Sequence, residues 1–273
     1  MAFVERLEVT DYSFLEAEHL HRYAIAKHFC TDKHVLDIAS GEGYGSSLIA
    51  MSAQSVVGID IDELSVTNAN DKYSIKKKNL KFIQGSLTKI PLPDNSVDVI
   101  TSFESIEHIS EHEMAFLEFK RVLKSDGVLI ISTPDKFYYT DTSGTKNPYH
   151  IKEFYRSEFS SILNKFFLNS VIMQQKYMCG SLIRPYSDME KHSFKLYSGD
   201  FNSVELYSED DGLYMIAFAS DVESKFGDFS LSFFDLTNLI EDTRQRKLQQ
   251  VYDSTSYRIG KKIVDFVRLF YKR

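Results

Sequence analysis

The sequence predicts an α/β fold in which a mostly parallel sheet of seven strands carries helices on both faces. Five short apolar runs alternate with segments of helical periodicity between residues 34 and 133, and such alternation is typical of βαβ units. Two more apolar runs follow at 170–178 and 213–220. The chain has 273 residues, 43% of them hydrophobic, which is enough for one large core and a smaller appendage.

The first five apolar runs are the predicted strands of the βαβ units. In chain order they are HVLDIA (34–39), SVVGIDI (55–61), LKFIQG (80–85), VDVITSF (97–103) and GVLIIST (127–133). Helices are predicted at 45–53, after the first strand, and at 111–124, before the fifth. One face of the second helix is apolar, and its residues are Ala115, Phe119, Val122 and Leu123.

The chain changes character after the fifth strand. Residues 135–152 form a polar and aromatic stretch that is too long for a simple connection, so we expect a lid or a substrate loop. A helix is predicted at about 153–166, SVIMQQKYM and LYMIAFAS are the two late strands, and residues 179–212 between them are predicted to be irregular and acidic. These elements define a domain of residues 1–221 and leave a C-terminal helical extension at 222–273.

The extension ends in a basic amphipathic helix, RIGKKIVDFVRLFYKR. Its basic side chains lie off an apolar face that consists of Ile259, Ile263, Phe266, Val267 and Phe270. Three roles stay open for this helix: packing on the protein's own surface, formation of a homodimer, or docking to an anionic membrane or a protein partner.

The net charge of −7 is unevenly distributed. Residues 242–273 hold nine Lys and Arg against three Asp and Glu, or +6, which leaves −13 for residues 1–241. Because an acidic body repels nucleic acid, no nucleic-acid partner is expected. The start of the chain resembles no secretion signal, no apolar run is long enough to span a membrane, and Cys30 and Cys179 are too few for a disulfide framework. We therefore expect a cytoplasmic protein, which the basic helix could bring to the inner face of the membrane.

A glycine-rich turn, GEGYG at 41–45, lies between the first strand and the helix after it. Its spacing is neither the G-x-G-x-x-G of nicotinamide dinucleotide sites nor the P-loop pattern. Glycines let a ligand approach the backbone, and the start of the helix offers free N–H groups to a carboxylate. Asp37, inside the strand, could offset an ammonium group. S-adenosylmethionine carries both groups and therefore fits this turn.

The next two strands end in residues that suit a nucleoside. Asp60 ends the second strand, 15 residues after Gly45, where an acid accepts hydrogen bonds from ribose hydroxyls. The neighbouring Asp62 is the predicted N-cap of the next helix. Ser86 and Leu87 follow the third strand, near the expected position of the adenine ring.

Four segments resemble, in order and spacing, the successive motifs of class I S-adenosylmethionine-dependent methyltransferases. They are VLDIASGEGYGSSLIA, VVGIDI, FIQGSLTKIPLPDNSVDVI and RVLKSDGVLIISTP, and the likeness covers about residues 18–178. It implies a Rossmann-like sheet with S-adenosylmethionine as the cofactor. The upstream segment EHLHRY also resembles relatives, which implies that Arg22 and Tyr23 bind the cofactor carboxylate. The implied cofactor residues are Arg22, Tyr23, Asp37, Ala39, Gly41, Gly43, Asp60, Ile61, Ser86, Leu87 and Phe103.

Two of these cofactor residues leave alternatives open. Ser86 stands where the family commonly has Asp, so we expect a weaker contact to the adenine amino group and a larger share for backbone groups. Arg22 could instead be a solvated helix residue, since arginine side chains are mostly exposed.

The segment FESIEHI, at the end of the fourth strand, supplies candidate catalytic groups. Glu104, Glu107 and His108 are spaced i, i+3 and i+4, so a helical turn would place them on one face. Two carboxylates and an imidazole can bind a divalent ion such as Mg²⁺ or Mn²⁺, and His150 could be a fourth ligand.

The segment ESIEH also has a family likeness. Small-RNA terminal 2′-O-methyltransferases and ubiquinone-pathway O-methyltransferases carry a similar E-x-x-E-H, which implies a metal held by Glu104, Glu107, His108 and His150. Metal-free base catalysis by His108 and a structural role for Glu107 stay open, because geometry decides between them. The candidate catalytic residues are Glu107, His108 and His150.

A further likeness bears on the methyl acceptor. EHLHRY, SFESIEH, IISTPDK and NPYHIKEF resemble a bacterial group of methyltransferases found with glycosyltransferases of surface-polysaccharide assembly. The likeness implies O-methylation of a sugar hydroxyl or phosphate, on a nucleotide sugar, a lipid-linked glycan or a polysaccharide end. Aromatic residues at 137–139 and 149 could stack on sugar faces or pack internally. Two alternatives stay open: another small acceptor, such as a quinone precursor, and a non-catalytic cofactor-binding scaffold.

Overall fold

The helices and strands follow the predicted order. The computed structural model describes residues 14–178, 196–199, 203–206, 211–222, 245 and 247–271. The helices are α1 (Phe14–Cys30), α2 (Tyr44–Ile49), α3 (Glu63–Ala69), α4 (His112–Val122), α5 (Arg156–Phe166) and α6 (Thr255–Tyr271). The strands are β1 (His34–Ile38), β2 (Ser55–Asp60), β3 (Leu80–Gln84), β4 (Val97–Phe103), β5 (Leu123–Pro134), β6 (Asn169–Gln175), β7 (Tyr197–Gly199), β8 (Val204–Leu206) and β9 (Tyr214–Ser220).

Seven of these strands form one sheet, in the order β3-β2-β1-β4-β5-β9-β6. The pairs from β3 to β5 are parallel. β9 runs antiparallel to both of its neighbours, β5 and β6. The predicted sheet of seven mostly parallel strands is thus confirmed. The strand order reverses between β1 and β4, and ligands of open α/β sheets bind at the carboxyl ends of the strands at such a point.

Helices cover both faces of the sheet, as predicted. Successive side chains of a strand point to opposite faces, and β1 shows this clearly. Leu36 packs in a cluster with Phe116 of α4 and Phe159 of α5. Its neighbour Val35 belongs to the cluster on the other face, together with Ala26 of α1 and side chains of α2 and α3. The two clusters explain why the central strands are apolar almost throughout.

Two predicted helix boundaries are wrong, and in both places a strand or a bridge replaces the helix. Leu123, predicted on the apolar face of a helix at 111–124, begins β5 with an extended backbone (ψ 136°) and pairs with Val97. The helix predicted from residue 153 begins only at Arg156, because Phe154 forms a bridge with Asp135. The apolar side chains of Leu123 and Phe154 remain in the core, where they are 4% and 2% exposed.

The region after β6 also differs from the prediction. Within the stretch predicted to be irregular, β7 and β8 pair antiparallel as a small separate sheet. Cys179, the segment 1–13 of the predicted domain and the segment 223–244 of the predicted extension lie outside the described residues.

The C-terminal helix α6 exposes the part of its apolar face that can be described. Ile259 and Ile263 are 54% and 58% exposed. Phe266, Val267 and Phe270 belong to the same predicted face, but their side chains lie outside the described part of the chain. No helix in the described ranges has the length and the apolar character that a membrane crossing requires.

Candidate active site

The candidate site lies where β1, β2 and β4 end. The glycine turn follows β1, Asp60 ends β2, and Glu104 follows β4. Two residues here are not glycine and yet have a left-handed backbone: Ala39 has φ +60° and Glu104 has φ +50°. Such conformations cost about 1 kcal/mol or more for residues with a side chain, and they are concentrated at functional sites.

Gly43 and Gly41 are glycines for different structural reasons. Gly43 has φ +80°, and a Cβ there would lie 2.5 Å from the ring of Phe82. Gly41 has φ +51°, and among the described residues no atom beyond its two chain neighbours lies within 4 Å of the position of a Cβ. Its N–H donates to Asp60 Oδ2 at 2.8 Å, so the second strand end holds the turn in place. The open space over Gly41 is where a ligand could approach the backbone.

The buried carboxylate of Asp37 accepts several hydrogen bonds beside the glycine turn. Asp37 is 1% exposed, and its donors are the hydroxyls of Ser46 (2.5 Å), Thr101 (2.7 Å) and Tyr23 (3.3 Å). Burial raises the pKa of Asp37 to about 6, although the three hydroxyl donors oppose that rise. The carboxylate thus joins α1, α2 and β4 to β1, and its predicted contact with a cofactor ammonium stays a prediction.

Arg22 lies inside the protein, so the alternative of a solvated Arg22 is wrong. It is 1% exposed, its Nε donates to Gln175 Oε1 at 2.7 Å, and its guanidinium lies 4.5 Å from the centre of the Tyr214 ring. Nη1 lies 3.0 Å from Glu104 Oε1, and Nη2 has no hydrogen-bond partner among the described residues. A buried guanidinium with a donor to spare suits a carboxylate ligand.

The polar neighbours of Arg22 were not predicted from the sequence. Gln175 also donates through Nε2 to the carbonyl of Glu18, at 2.9 Å. Burial raises the pKa of the Glu18 carboxyl to about 7, although the charge of Arg22 opposes that rise. Gln175 follows Arg22 by 153 positions, and no local spacing signals such a pair.

The predicted nucleoside side is partly exposed. Asp60 also accepts the N–H of Asp62 (2.9 Å), and Asp62 caps α3 as predicted by accepting from the N–H of Ser65 (2.7 Å). Ile61 is 66% exposed. The Ser86 hydroxyl accepts the N–H of Thr88 at 3.2 Å, which leaves it a modest partner for a base.

Two of the apolar cofactor candidates, Leu87 and Phe103, pack against the interior of the protein. Leu87 is half-buried against the main core cluster. Phe103 is buried, and its ring meets the ring of Tyr23 edge-on at 5.0 Å.

Three of the four predicted metal ligands come together. One candidate ligand atom each from Glu107, His108 and His150 lies within 4.8 Å of the other two. Glu104 is not in this group. Its Oε1 instead accepts from the Ser132 hydroxyl at 2.7 Å and faces Arg22.

Glu107 is fully buried, and one of its oxygens is unused. Oε2 accepts from the Thr133 hydroxyl at 3.2 Å, whereas Oε1 has no hydrogen-bond partner in the described part of the chain. Burial, and then the charge of Glu104, raises the pKa of Glu107 well above its usual range. The Glu107 carbonyl accepts the N–H groups of Ile151 (2.8 Å) and Lys152 (3.1 Å), which ties the predicted substrate loop to the end of β4.

The two histidines meet edge to face, with ring centres 5.1 Å apart. His108 donates its Nδ1–H to the Tyr149 carbonyl at 3.0 Å, since a carbonyl can only accept. His150 has Nδ1 2.6 Å from Glu153 Oε1 and is stacked on Tyr139, with ring centres 5.4 Å apart. Glu153 was missed because the sequence pattern placed it in a helix, although a His and a Glu three residues apart offered a weak signal.

This group of side chains can do two kinds of chemistry. Each histidine has its Nδ1 engaged, so Nε2 is the nitrogen that could accept a proton from a substrate hydroxyl, although Nε2 of His150 also lies 3.1 Å from the side-chain nitrogen of Asn147. The same nitrogens, with the unused Glu107 oxygen, form a donor set that a divalent cation could use.

Part of the chain is similar in sequence to known methyltransferases. Residues 36–131 match the family model described as a methyltransferase domain. A probable S-adenosylmethionine-dependent methyltransferase of Mycobacterium tuberculosis is 37% identical over 135 residues, which are 49% of this chain and 48% of that protein. One of Mycolicibacterium smegmatis is 36% identical over 142 residues, which are 52% of this chain and 54% of that protein. The chain therefore spans about half the length of these relatives.

The fold has counterparts among solved structures. The crystal structure of the YcgJ protein from Bacillus subtilis superposes with a TM-score of 0.50 at 19% identity, and the match covers 74% of this chain and 99% of that one. Residues 36–131 are therefore similar to the methyltransferase domain family, and the described fold is similar to that of a solved structure.

Proposed function

We propose that the whole protein transfers a methyl group from S-adenosylmethionine to an oxygen of a sugar or glycan, either a hydroxyl or a phosphate, in surface-polysaccharide or nucleotide-sugar biosynthesis. The observation that carries the proposal is the group of Glu107, His108 and His150. It lies beyond the end of β4, the strand next to β1 and its glycine turn. A sugar hydroxyl is a weak nucleophile, so its methylation needs a proton acceptor of this kind.

The residues on the cofactor side have separate roles in this proposal. Gly41 admits the cofactor to the backbone, Asp60 accepts from the ribose hydroxyls, and Arg22 binds the methionine carboxylate through the donor that it does not use internally. When bound, S-adenosylmethionine supplies a methyl group on a positively charged sulfur. The buried residues around Asp37 keep water from that sulfur.

In the proposed reaction, a histidine acts as the base that removes the proton of the acceptor hydroxyl. As the acceptor oxygen forms its bond to the methyl carbon, the methyl–sulfur bond breaks and the hydroxyl proton passes to a histidine Nε2. S-adenosylhomocysteine and the methyl ether are the products. Both histidines hold a proton on Nδ1 through an acceptor, the Tyr149 carbonyl or the Glu153 carboxylate, so each presents Nε2 as the basic nitrogen.

Exposed aromatic side chains on the substrate loop support a sugar acceptor. Phe137 and Tyr149 are 52% and 42% exposed, and an exposed ring can stack on the apolar face of a sugar. Tyr139 differs from them, because its ring packs on His150. Tyr139 thus supports His150, whereas Phe137 and Tyr149 are exposed for contact with an acceptor.

A metal-assisted reaction is the second candidate, and the unused buried Oε1 of Glu107 favours it. Glu107, His108 and His150 would hold Mg²⁺ or Mn²⁺, which would bind the acceptor oxygen and lower its pKa. Glu104 could join them only by leaving Arg22 and Ser132.

One assay tests both routes. Purified protein with labelled S-adenosylmethionine is offered nucleotide sugars, glycan fragments and a demethylated quinone precursor, with and without EDTA. We expect label in a sugar acceptor, and at least a 100-fold loss of rate with His108→Ala or His150→Ala. His28→Ala, on an exposed part of α1, is the matched control.

The other outcomes discriminate between the alternatives. A rate lost in EDTA and restored by Mn²⁺ selects the metal route. Label in the quinone precursor alone overturns the glycan acceptor. Cofactor binding without turnover of any acceptor would indicate a scaffold.

A further inference from the structure

His150, near the end of the substrate loop, makes an enclosed contact with Glu153. Nδ1 of His150 lies 2.6 Å from Glu153 Oε1, and both side chains are only 6% exposed. The other ring nitrogen, Nε2, lies 3.1 Å from the side-chain nitrogen of Asn147. His150 is thus held on both sides by side chains that are three residues away from it in the chain.

The hydrogen bonds of Asn147 determine the tautomer of His150. Asn147 Oδ1 accepts the N–H of Tyr149 at 3.0 Å, so the amide oxygen faces Tyr149 and the NH₂ group faces His150. An NH₂ group donates, and therefore Nε2 of His150 must accept. In this arrangement Nδ1 of His150 carries a proton and donates it to Glu153.

The backbone around the pair is anchored to the sheet. The N–H groups of Ile151 and Lys152 bind the Glu107 carbonyl, and Lys136 N–H binds the Phe154 carbonyl at 3.0 Å. The loop therefore holds Glu153 and His150 at a defined place beside Glu107. Besides Glu153, the ionisable groups that face His150 are Glu107, His108 and Tyr139.

We propose that Glu153 is the positioning residue of His150: it fixes the proton on Nδ1 and so makes Nε2 the nitrogen that takes the proton of the acceptor hydroxyl. Asn147 occupies Nε2 until the acceptor hydroxyl replaces its amide. This inference rests on the proposed transfer to a hydroxyl. The carboxylate also stabilises the imidazolium that forms when the proton arrives, as the buried Asp does in the Ser-His-Asp triad.

A spectroscopic test needs no turnover. In protein with ¹⁵N-labelled histidine, we expect the His150 ring to show the Nδ1–H tautomer, with a strongly deshielded Nδ1 proton. Glu153→Gln removes the charge and should move that proton upfield, whereas Glu113→Gln, a 69% exposed control, should not. A wild-type His150 with its proton on Nε2 overturns the inference.

A kinetic test separates positioning from mere stability. With an acceptor found by the methyl-transfer assay, Glu153→Gln and Glu153→Ala should lower kcat by about 10- to 1,000-fold with little change in KM, and Glu153→Asp should restore part of the loss. A folded Glu153→Ala variant with kcat within twofold of wild type overturns the inference. If wild type turns over no acceptor, the proposed function has failed, and the tautomer of His150 decides the inference alone.

Discussion

At the scale of single residues, the glycines of the turn make a sharp prediction. Gly41→Ala should lower the affinity for S-adenosylhomocysteine at least tenfold, because its Cβ enters the open space where the cofactor approaches, while the backbone strain costs about 1 kcal/mol of stability. Calorimetric titration and urea unfolding measure the two effects.

Gly144 provides a control for that strain. It also has a left-handed backbone, φ +68°, and open space around its Cβ position, but it lies in the substrate loop. Gly144→Ala should lose the same stability and keep the affinity. Equal losses of affinity in both variants would count against a cofactor site at Gly41.

Gly45 differs from Gly41 because the Tyr23 side chain fills the space that a Cβ at position 45 would need. A Cβ at Gly45 would lie 1.9 Å from the Tyr23 ring, which itself packs around Asp37. Gly45→Ala should lower the free energy of unfolding by roughly 1–3 kcal/mol, measured by urea unfolding. No loss of stability would mean that the Tyr23 ring moves freely, contrary to its buried position.

The buried Glu18 predicts a pH dependence. Burial raises its pKa from 4.5 to about 7, so the folded protein holds this proton more tightly than the unfolded chain. The stabilisation is complete below pH 4.5 and is lost as the pH rises through about 7. Between these limits, wild type should lose roughly 1–2 kcal/mol more than Glu18→Gln, which cannot ionise.

Urea unfolding across that pH range measures the difference. Glu63→Gln, on an exposed turn of α3, is the control and should follow wild type. If Glu18→Gln also follows wild type, Glu18 does not hold its proton in the folded protein.

The sequence pattern predicts the site residues where strand ends bring them together, and it fails where distant segments meet. The rule that ligands bind beyond parallel strands is enough to select the turn at Gly41, Asp60 and Glu107. It says nothing about Arg22 and Gln175, which pair across 153 positions, or about Glu104, whose carboxylate turns toward that pair. Contacts between buried polar side chains from distant segments depend on side-chain packing, and no periodic sequence pattern indicates them.

At the scale of elements, periodicity predicts strands better than helix ends. All seven apolar runs contain strands of the sheet, and the central strands are buried almost throughout, whereas the edge strands β3 and β6 are only partly buried. The boundary between α4 and β5 was misplaced, since Leu123 is apolar and suits either element. Its pairing with Val97 decides for the strand, and that contact is not visible in local sequence.

The antiparallel strand β9 is the element on which we expect the sheet to depend. All seven of its residues are buried, and it joins β5 to β6. Phe218→Ala removes a ring that is 0% exposed, so it should lower the free energy of unfolding by about 3–5 kcal/mol in urea unfolding. Val204→Ala, in β8 and 73% exposed, should change it by less than about 0.5 kcal/mol. Similar effects of the two would argue against β9 as a core strand.

At the scale of the whole molecule, charge separates the body from the tail. The −13 of residues 1–241 repels anionic surfaces, while the +6 of residues 242–273 attracts them. Within that basic segment, Ile259 and Ile263 give α6 exposed apolar area. We propose that α6 docks on an anionic membrane surface. Such a position would suit a lipid-linked glycan acceptor, and one helix of this size gives weak, reversible binding.

Vesicle co-sedimentation tests the docking of α6. The full chain should bind vesicles that contain phosphatidylglycerol, bind neutral vesicles at least tenfold less, and release as salt is raised, since anionic lipid attracts basic side chains. The double variant Ile259→Glu, Ile263→Glu should lose most of this binding. Ile75→Glu removes an isoleucine that is 79% exposed outside the tail, and it should have no effect. Membrane docking would be overturned if the double variant bound the vesicles as wild type does. It would also be overturned if light scattering showed a wild-type dimer that the double variant dissociates. In that case α6 would be a contact between two copies of the chain.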